Sequence, residues 1–187
     1  MLTVANQLTL LRMGLAPLLV VLVLDGRMAW ALAVFVVAGL TDLLDGLIAR
    51  LGGQQTTLGA MLDPVADKVL LTSAFIALTW GGPLATRIPA WLTVVILSRD
   101  AIIIMSVAVV NFTVGRRIFY PSILGKLTTA AQILTAGVAL LANTSGAGIA
   151  LLRGLCVVTL ALTVTSALHY VYLASTRGPG QPPKGAA

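Results

Sequence analysis

Six long, nearly unbroken runs of apolar side chains constrain this chain more than any other feature. They lie near Leu8–Leu24, Met28–Arg50, Leu58–Thr79, Ile88–Val110, Ile123–Leu141 and Ala147–Leu173. About 20 apolar residues in a helix cross the hydrocarbon of a bilayer, so each run is a candidate transmembrane helix. The composition agrees. Of 187 residues, 58% are apolar and 10% charged, where a soluble domain carries about a quarter charged residues. A water-soluble fold of ~150 residues leaves roughly 30% of its chain's surface in water, and this chain would have to expose much apolar material there. The expected fold is all-α, a polytopic integral membrane protein with six transmembrane helices.

The runs are separated by turn chemistry at Asp25-Gly26, at Gly81-Gly82-Pro83 and from Asn143 to Gly148. No internal repeat and no soluble appendage interrupts them. One membrane domain is expected over 1–176, followed by a Gly- and Pro-rich tail, 177–187, that should be disordered. No signal peptide is expected, because no basic segment precedes the first run, whose first charge is Arg12. An N-terminus in the cytoplasm places Arg50, Arg116, Arg117, Lys126, Arg177 and Lys184 on the inner side and leaves Arg27, Arg87 and Arg153 outside. That excess of inner basic residues favours cytoplasmic N- and C-termini. Trp30, Trp80 and Trp91 fall near helix ends, as an interfacial aromatic belt would place them.

The net charge of +6 does not point to nucleic acid, because the bases are scattered singly without an aromatic-rich patch. Anionic lipid headgroups explain it better. Cys156 has no second cysteine to pair with, so it reads as an inert packing residue.

All six acidic residues are aspartates, and five of them, Asp42, Asp45, Asp63, Asp67 and Asp100, lie in or beside the apolar runs. An ionised group in a membrane segment is expensive and usually marks a functional site. Four of the five fall between Thr41 and Lys68, in TDLLDGLIARLGGQQTTLGAMLDPVADK. Asp42 and Asp45 share a helical face with Gly46 and Ala49, whose minimal side chains let a substrate approach the backbone. Arg50 follows at the helix end. Gly59, Asp63 and Asp67 repeat the pattern at spacing four, and Pro64 would kink or start that helix. Two helices joined by a short loop should lie antiparallel and side by side, with four carboxylates around one volume. Hard oxygen ligands suit Mg²⁺, Mn²⁺ or Ca²⁺ and not zinc. Four such groups can hold two metals about 3.5–4 Å apart, a spacing that clamps a phosphoryl group. Cations also relieve the mutual repulsion of the carboxylates.

The run D-x-x-D-G-x-x-A-R, then eight residues, G, three residues, D, three residues, D resembles the signature of the CDP-alcohol phosphatidyltransferase family. It matches at Asp42, Asp45, Gly46, Ala49, Arg50, Gly59, Asp63 and Asp67. Eight fixed identities at fixed spacing are specific, and the six runs extend the resemblance over nearly the whole chain. The resemblance implies that an alcohol attacks the lipid-bearing phosphorus of CDP-diacylglycerol and CMP leaves, on an Mg²⁺ or Mn²⁺ site facing the cytoplasm. By the same analogy Asp42, Asp45 and Asp63 ligate metal, and Asp67 acts as ligand and general base near the acceptor. Gly46, Ala49 and Gly59 would line the cytidine pocket, and Arg50 would bind a diphosphate oxygen with its fork of donors. The resemblance also implies a homodimer. Spacing alone does not say which of the four carboxylates takes the proton.

The motif is silent about the acceptor. AGLTDLLDGLIAR, LGAMLDPVADKVL and IPAWLTVVILSRD resemble the branch that makes cardiolipin from phosphatidylglycerol. NQLTLLRMGLAP and GKLTTAAQ also resemble the sister branch, which uses glycerol 3-phosphate. A dianionic phosphate wants several bases, yet no second base follows Arg99 in its run or Lys126 in LTT. Arg116 and Arg117 weigh the other way. The reading favours phosphatidylglycerol, with Arg99 and Lys126 as substrate contacts. Phospholipase D chemistry needs paired His-x-Lys motifs, which a chain with His169 alone cannot supply.

Among the simpler readings, His169 is expected to pack or sit at the interface. Arg99 and Asp100, adjacent in a helix, should point apart and need separate partners. Lys68 would neutralise a carboxylate or snorkel. A cation transporter would also explain acids at depth, but not Arg50 beside them, and no paired broken helices are evident.

Overall fold

The computed structural model describes residues 4–52, 57–113 and 123–176. These form six α-helices: α1 (Val4–Leu24), α2 (Met28–Gly52), α3 (Thr57–Trp80), α4 (Ala90–Thr113), α5 (Ile123–Ser145) and α6 (Ile149–Thr176). No strand occurs among the described residues. Each apolar run becomes one helix, because a helix satisfies its own backbone groups where no water is available. The expected disorder of 177–187, together with Arg116 and Arg117, lies outside the described residues.

The turns show why the helices end where they do. Beyond Leu24, Gly26 takes φ 73°. Its N–H bonds Val23 O at 3.1 Å while Arg27 N–H bonds Leu22 O at 2.8 Å. This double closure needs a left-handed residue, which glycine adopts without strain. α4 starts slightly later than the run suggests, after Pro89, whose carbonyl accepts from Leu92 N at 3.0 Å. α3 begins at Thr57, so Pro64 does not start it. Asn143 belongs to α5 and not to the break that follows. Its side chain bonds across to another connection. Nδ2 donates to Thr86 O at 2.8 Å, and Oδ1 accepts from Thr86 N at 3.0 Å. Asn143 thereby ties the α3–α4 connection to α5.

α1 packs on α2 and α3, α5 on α6, α2 and α3, and α4 on α3 and α6. Phe35, Phe75, Leu19, Leu78, Leu92 and Leu140 fill the core, with Cys156 among them. Fully buried alanines at 31, 74, 136 and 139 let the backbones approach closely, as in membrane bundles.

The distribution of polarity is inverted relative to a water-soluble bundle. Val21, Val37, Leu40, Ile102, Ile104, Leu134, Val157 and Leu168 are exposed, whereas Thr93, Thr128, Gln132, Thr135, Thr159 and Thr163 are fully buried. The buried hydroxyls pair across helices. Thr79 and Thr93 join α3 to α4 at 2.7 Å, and Thr135 and Thr159 join α5 to α6 at 2.8 Å. Lipid is the solvent that an apolar exterior of this kind requires. Among the described residues α5 and α6 are long and apolar enough to cross a membrane.

Candidate functional site

One polar layer crosses the bundle. At the end closed by Gly26, the α3–α4 connection and Asn143, the chain is packed on backbone. Arg12, Lys68 and Gln132 each stand eleven residues, about 16 Å, from a residue at that end: Val23, Thr79 and Asn143. Their helices run in the senses that bring all three to a common depth. The remaining members join them through side-chain contacts.

Arg12, 1% exposed, extends from α1 and meets Asp42 of α2, Nη1 to Oδ1, at 2.9 Å. Asp42 is the first carboxylate of the aspartate motif, and its side chain is 44% exposed, so it remains open to a further ligand. Across the bundle Lys68 Nζ donates to Asp100 Oδ2. Arg99 Nη1 donates to Asp100 Oδ1 at 2.7 Å and Arg99 Nη2 to Ser166 Oγ at 2.9 Å. This cluster ties α3, α4 and α6 together. Arg99 and Asp100 do not point apart as expected. The long arginine stem curls back onto its neighbour, because a buried carboxylate left half-paired is costlier than a bent side chain. The expectation that Lys68 neutralises a carboxylate holds, and that carboxylate is Asp100. Two cations around one anion leave a surplus of one positive charge. Arg99 Nε is buried without a partner.

α2 and α3 also depart from expectation. Among the described residues they do not lie directly side by side; α1 and α5 each pack against both. Ala16 and Leu19 of α1 and Ala136, Ala139 and Leu140 of α5 are fully buried, and these faces fill the two sides of the space between α2 and α3. Arg12 closes that space on the α1 side. Gln132 stands on α5, only about 20° round the helix from Asn143, on the buried stripe that also carries Ala136 and Ala139.

The rest of the motif follows the same two helices. Asp45, Gly46, Ala49 and Arg50 belong to α2, and Gly59, Asp63 and Asp67 to α3; their side chains lie outside the described ones. Among the described residues no three metal-ligating side chains gather, and of the four motif carboxylates only Asp42 is described. Asp42 fits a hard cation by its chemistry, with a carboxylate oxygen beyond the one that meets Arg12. Lys126 stands exposed in the first turn of α5 and takes no part in the layer. His169 is half-buried, its Nδ1 buried without a partner, and it is not joined to the layer. An open depression of about 400 Å³ lined by Gly26, Arg27, Met28, Trp30, Asn143 and Thr144 lies at the closed end, far from the motif.

Sequence reasoning passed over three members of the layer, Arg12, Gln132 and Ser166, the last of which carried no signal. Arg12 carried a signal, being the lone charge inside the first apolar run, where an arginine requires a partner. Gln132 carried a weaker one, a single amide amid apolar residues and threonines.

A family model described as CDP-alcohol phosphatidyltransferase matches residues 2–172, and the chain belongs to that family. Among relatives, the cardiolipin synthase (CMP-forming) of Rattus norvegicus is 48% identical over 111 residues, 59% of this chain and 35% of that protein. The Streptomyces coelicolor protein of the same name is 35% identical over 155 residues, 78% of this chain and 68% of its own. A probable phosphatidylglycerophosphate synthase of Mycobacterium tuberculosis is 36% identical over 176 residues, 89% of this chain and 79% of its own. The chain spans about a third of the length of its mammalian relatives.

Proposed function

We propose that this chain is a six-span membrane enzyme of phospholipid biosynthesis that transfers a phosphatidyl group from CDP-diacylglycerol to an alcohol, releasing CMP. The observation that carries this reading is the contact of buried Arg12 with half-exposed Asp42, which fixes the first carboxylate of an intact family motif on an apolar bundle. The membrane domain is taken as 1–176, with both termini and the site on the cytoplasmic side, because the basic residues favour that side. The family resemblance extends to a homodimer.

In this reading Asp42, Asp45, Asp63 and Asp67 would hold Mg²⁺ or Mn²⁺. Such ions, when bound, supply charge stabilisation to the diphosphate and to the departing CMP. Arg12 orients Asp42 by occupying one of its oxygens. Gly46, Ala49 and Gly59 leave room for the cytidine, and Arg50 grips a diphosphate oxygen. The acceptor oxygen forms a bond to the lipid-bearing phosphorus, the phosphorus–oxygen bond to CMP breaks, and Asp67 takes the hydroxyl proton.

Phosphatidylglycerol is the acceptor the polar layer suits best. The surplus of one positive charge in Lys68, Arg99 and Asp100 matches a phosphodiester with one negative charge, and Lys126 offers a further contact nearer the surface. Glycerol 3-phosphate is the second reading, favoured by the length over which the mycobacterial relative matches. A cation pathway is less well supported. Asp100 is already held by two cations, and a carboxylate so neutralised binds a passing ion poorly.

The test is CMP release by purified protein with CDP-diacylglycerol, Mg²⁺ or Mn²⁺, and each acceptor in turn. Turnover with phosphatidylglycerol alone supports the first reading, and turnover with glycerol 3-phosphate alone the second. No CMP with any acceptor, in folded protein, sinks the enzyme reading.

A further inference from the structure

Gln132 is the one fully buried side chain in the polar layer whose described polar atoms all lack partners: it is 0% exposed, and neither Nε2 nor Oε1 has a hydrogen bond. A buried amide with both ends unsatisfied is costly and rare in a finished fold. The neighbouring polar residues on α5 solve the same problem locally. Thr128 bonds Leu124 O at 2.8 Å, Thr135 bonds Thr159, and Asn143 bonds Thr86 and Ala139. Gln132 lies among these residues and alone is left open.

Its placement says what would complete it. Thr135, about 60° to one side round α5, meets α6 through Thr159. Gly137 lies on the α2 side, where an added Cβ would stand 3.7 Å from Phe35 Cε1. Gly137 is about 140° to the other side of Gln132, so Gln132 lies on the broad buried arc between the α6 and α2 directions, on a helix that also packs against α3. α2 runs opposite to α5, so five residues inward from the Phe35–Gly137 contact bring Gln132 level with Leu40 and Thr41, next to Asp42. On α3 the same depth is that of Lys68, next to Asp67.

Resting on the function proposed above, we infer that Gln132 binds the attacking hydroxyl of the acceptor alcohol. A neutral amide offers one donor and one acceptor side by side, the complement of a hydroxyl, which both accepts and donates. A phosphate would use only its Nε2 and a metal ion only its Oε1, and either would leave the other buried end unsatisfied. The charged ligands of this layer already have Arg12, Lys68 and Arg99, so the neutral amide recognises the uncharged part of the substrate. Nε2 donates to the hydroxyl oxygen and Oε1 accepts the hydroxyl hydrogen, holding the group in place until the proton leaves toward a carboxylate.

The experiment compares wild type with Gln132→Met, which keeps the shape and removes both polar ends, and with Gln132→Asn, which keeps the amide but shortens its reach. Initial rates of CMP release are measured while phosphatidylglycerol, glycerol 3-phosphate and CDP-diacylglycerol are each varied. Thermal unfolding in detergent checks the fold. The expected result for Gln132→Met is a Tm no lower than wild type, a loss of about tenfold or more in kcat/KM for the acceptor, and an unchanged KM for CDP-diacylglycerol. Gln132→Asn should fall between the two. Unchanged acceptor kinetics in folded Gln132→Met would overturn the inference and leave Gln132 a buried hydration site. A matching rise in the KM of CDP-diacylglycerol would also overturn it, by placing the amide on the other substrate. If wild type releases no CMP with any acceptor, the enzyme reading fails first, and this inference falls with it.

Discussion

The two ends of the bundle are held by opposite means. At the closed end the connections are pressed onto each other through backbone. A Cβ on Gly82 would stand 2.5 Å from Val23 O, and one on Gly26 would stand 2.9 Å from Pro83 Cγ. Asn143 adds uncharged hydrogen bonds. About 16 Å away, Arg12 meets Asp42, Lys68 and Arg99 meet Asp100, and Gln132 stands open. The first end is held by backbone packing and uncharged hydrogen bonds. The second retains charge and unsatisfied polarity, which a bundle built only for stability would replace with apolar packing. The contrast teaches that packing and hydrogen bonds hold the closed end, whereas the polar layer carries the charges on which the proposed site rests.

Substitutions can break that contrast at either end. The largest effect is expected at the motif: Asp67→Asn should lower kcat for CMP release by about 10²–10⁴-fold while the Tm is kept. Near-normal turnover in that variant would move the base to another carboxylate. Next comes Asp100→Ala, which strands Lys68 and Arg99 and should destabilise by about 3 kcal/mol, read as a lowered midpoint in thermal unfolding. A neutral result would mean that water, and not Asp100, carries those charges. At the closed end Gly82→Ala forces a methyl against Val23 O and should destabilise by about 1–3 kcal/mol. Turnover per folded molecule should stay unchanged, and a loss of activity at constant stability would contradict the division between the two ends. The smallest effect belongs to Thr135→Val, which removes one hydroxyl pair between α5 and α6 and should destabilise by about 0.6 kcal/mol, read in the same unfolding experiment.

Six helices and the aspartate motif were legible because both are written locally. An apolar run near 20 residues announces a helix whatever surrounds it, and the fixed spacing of Asp42 to Asp67 depends on no distant contact. Glycines at 26 and 82 announced their turns for the same reason. The neighbours of each helix are a different matter. Lipid-facing and core-facing residues in a membrane bundle are equally apolar, so no periodicity in α6 says which face is buried. That α1 and α5 come between α2 and α3, that Arg99 turns back onto Asp100, and that Lys68 chooses Asp100 were decided only by packing. So was the state of Gln132, because only packing reveals that its amide is buried with neither end paired.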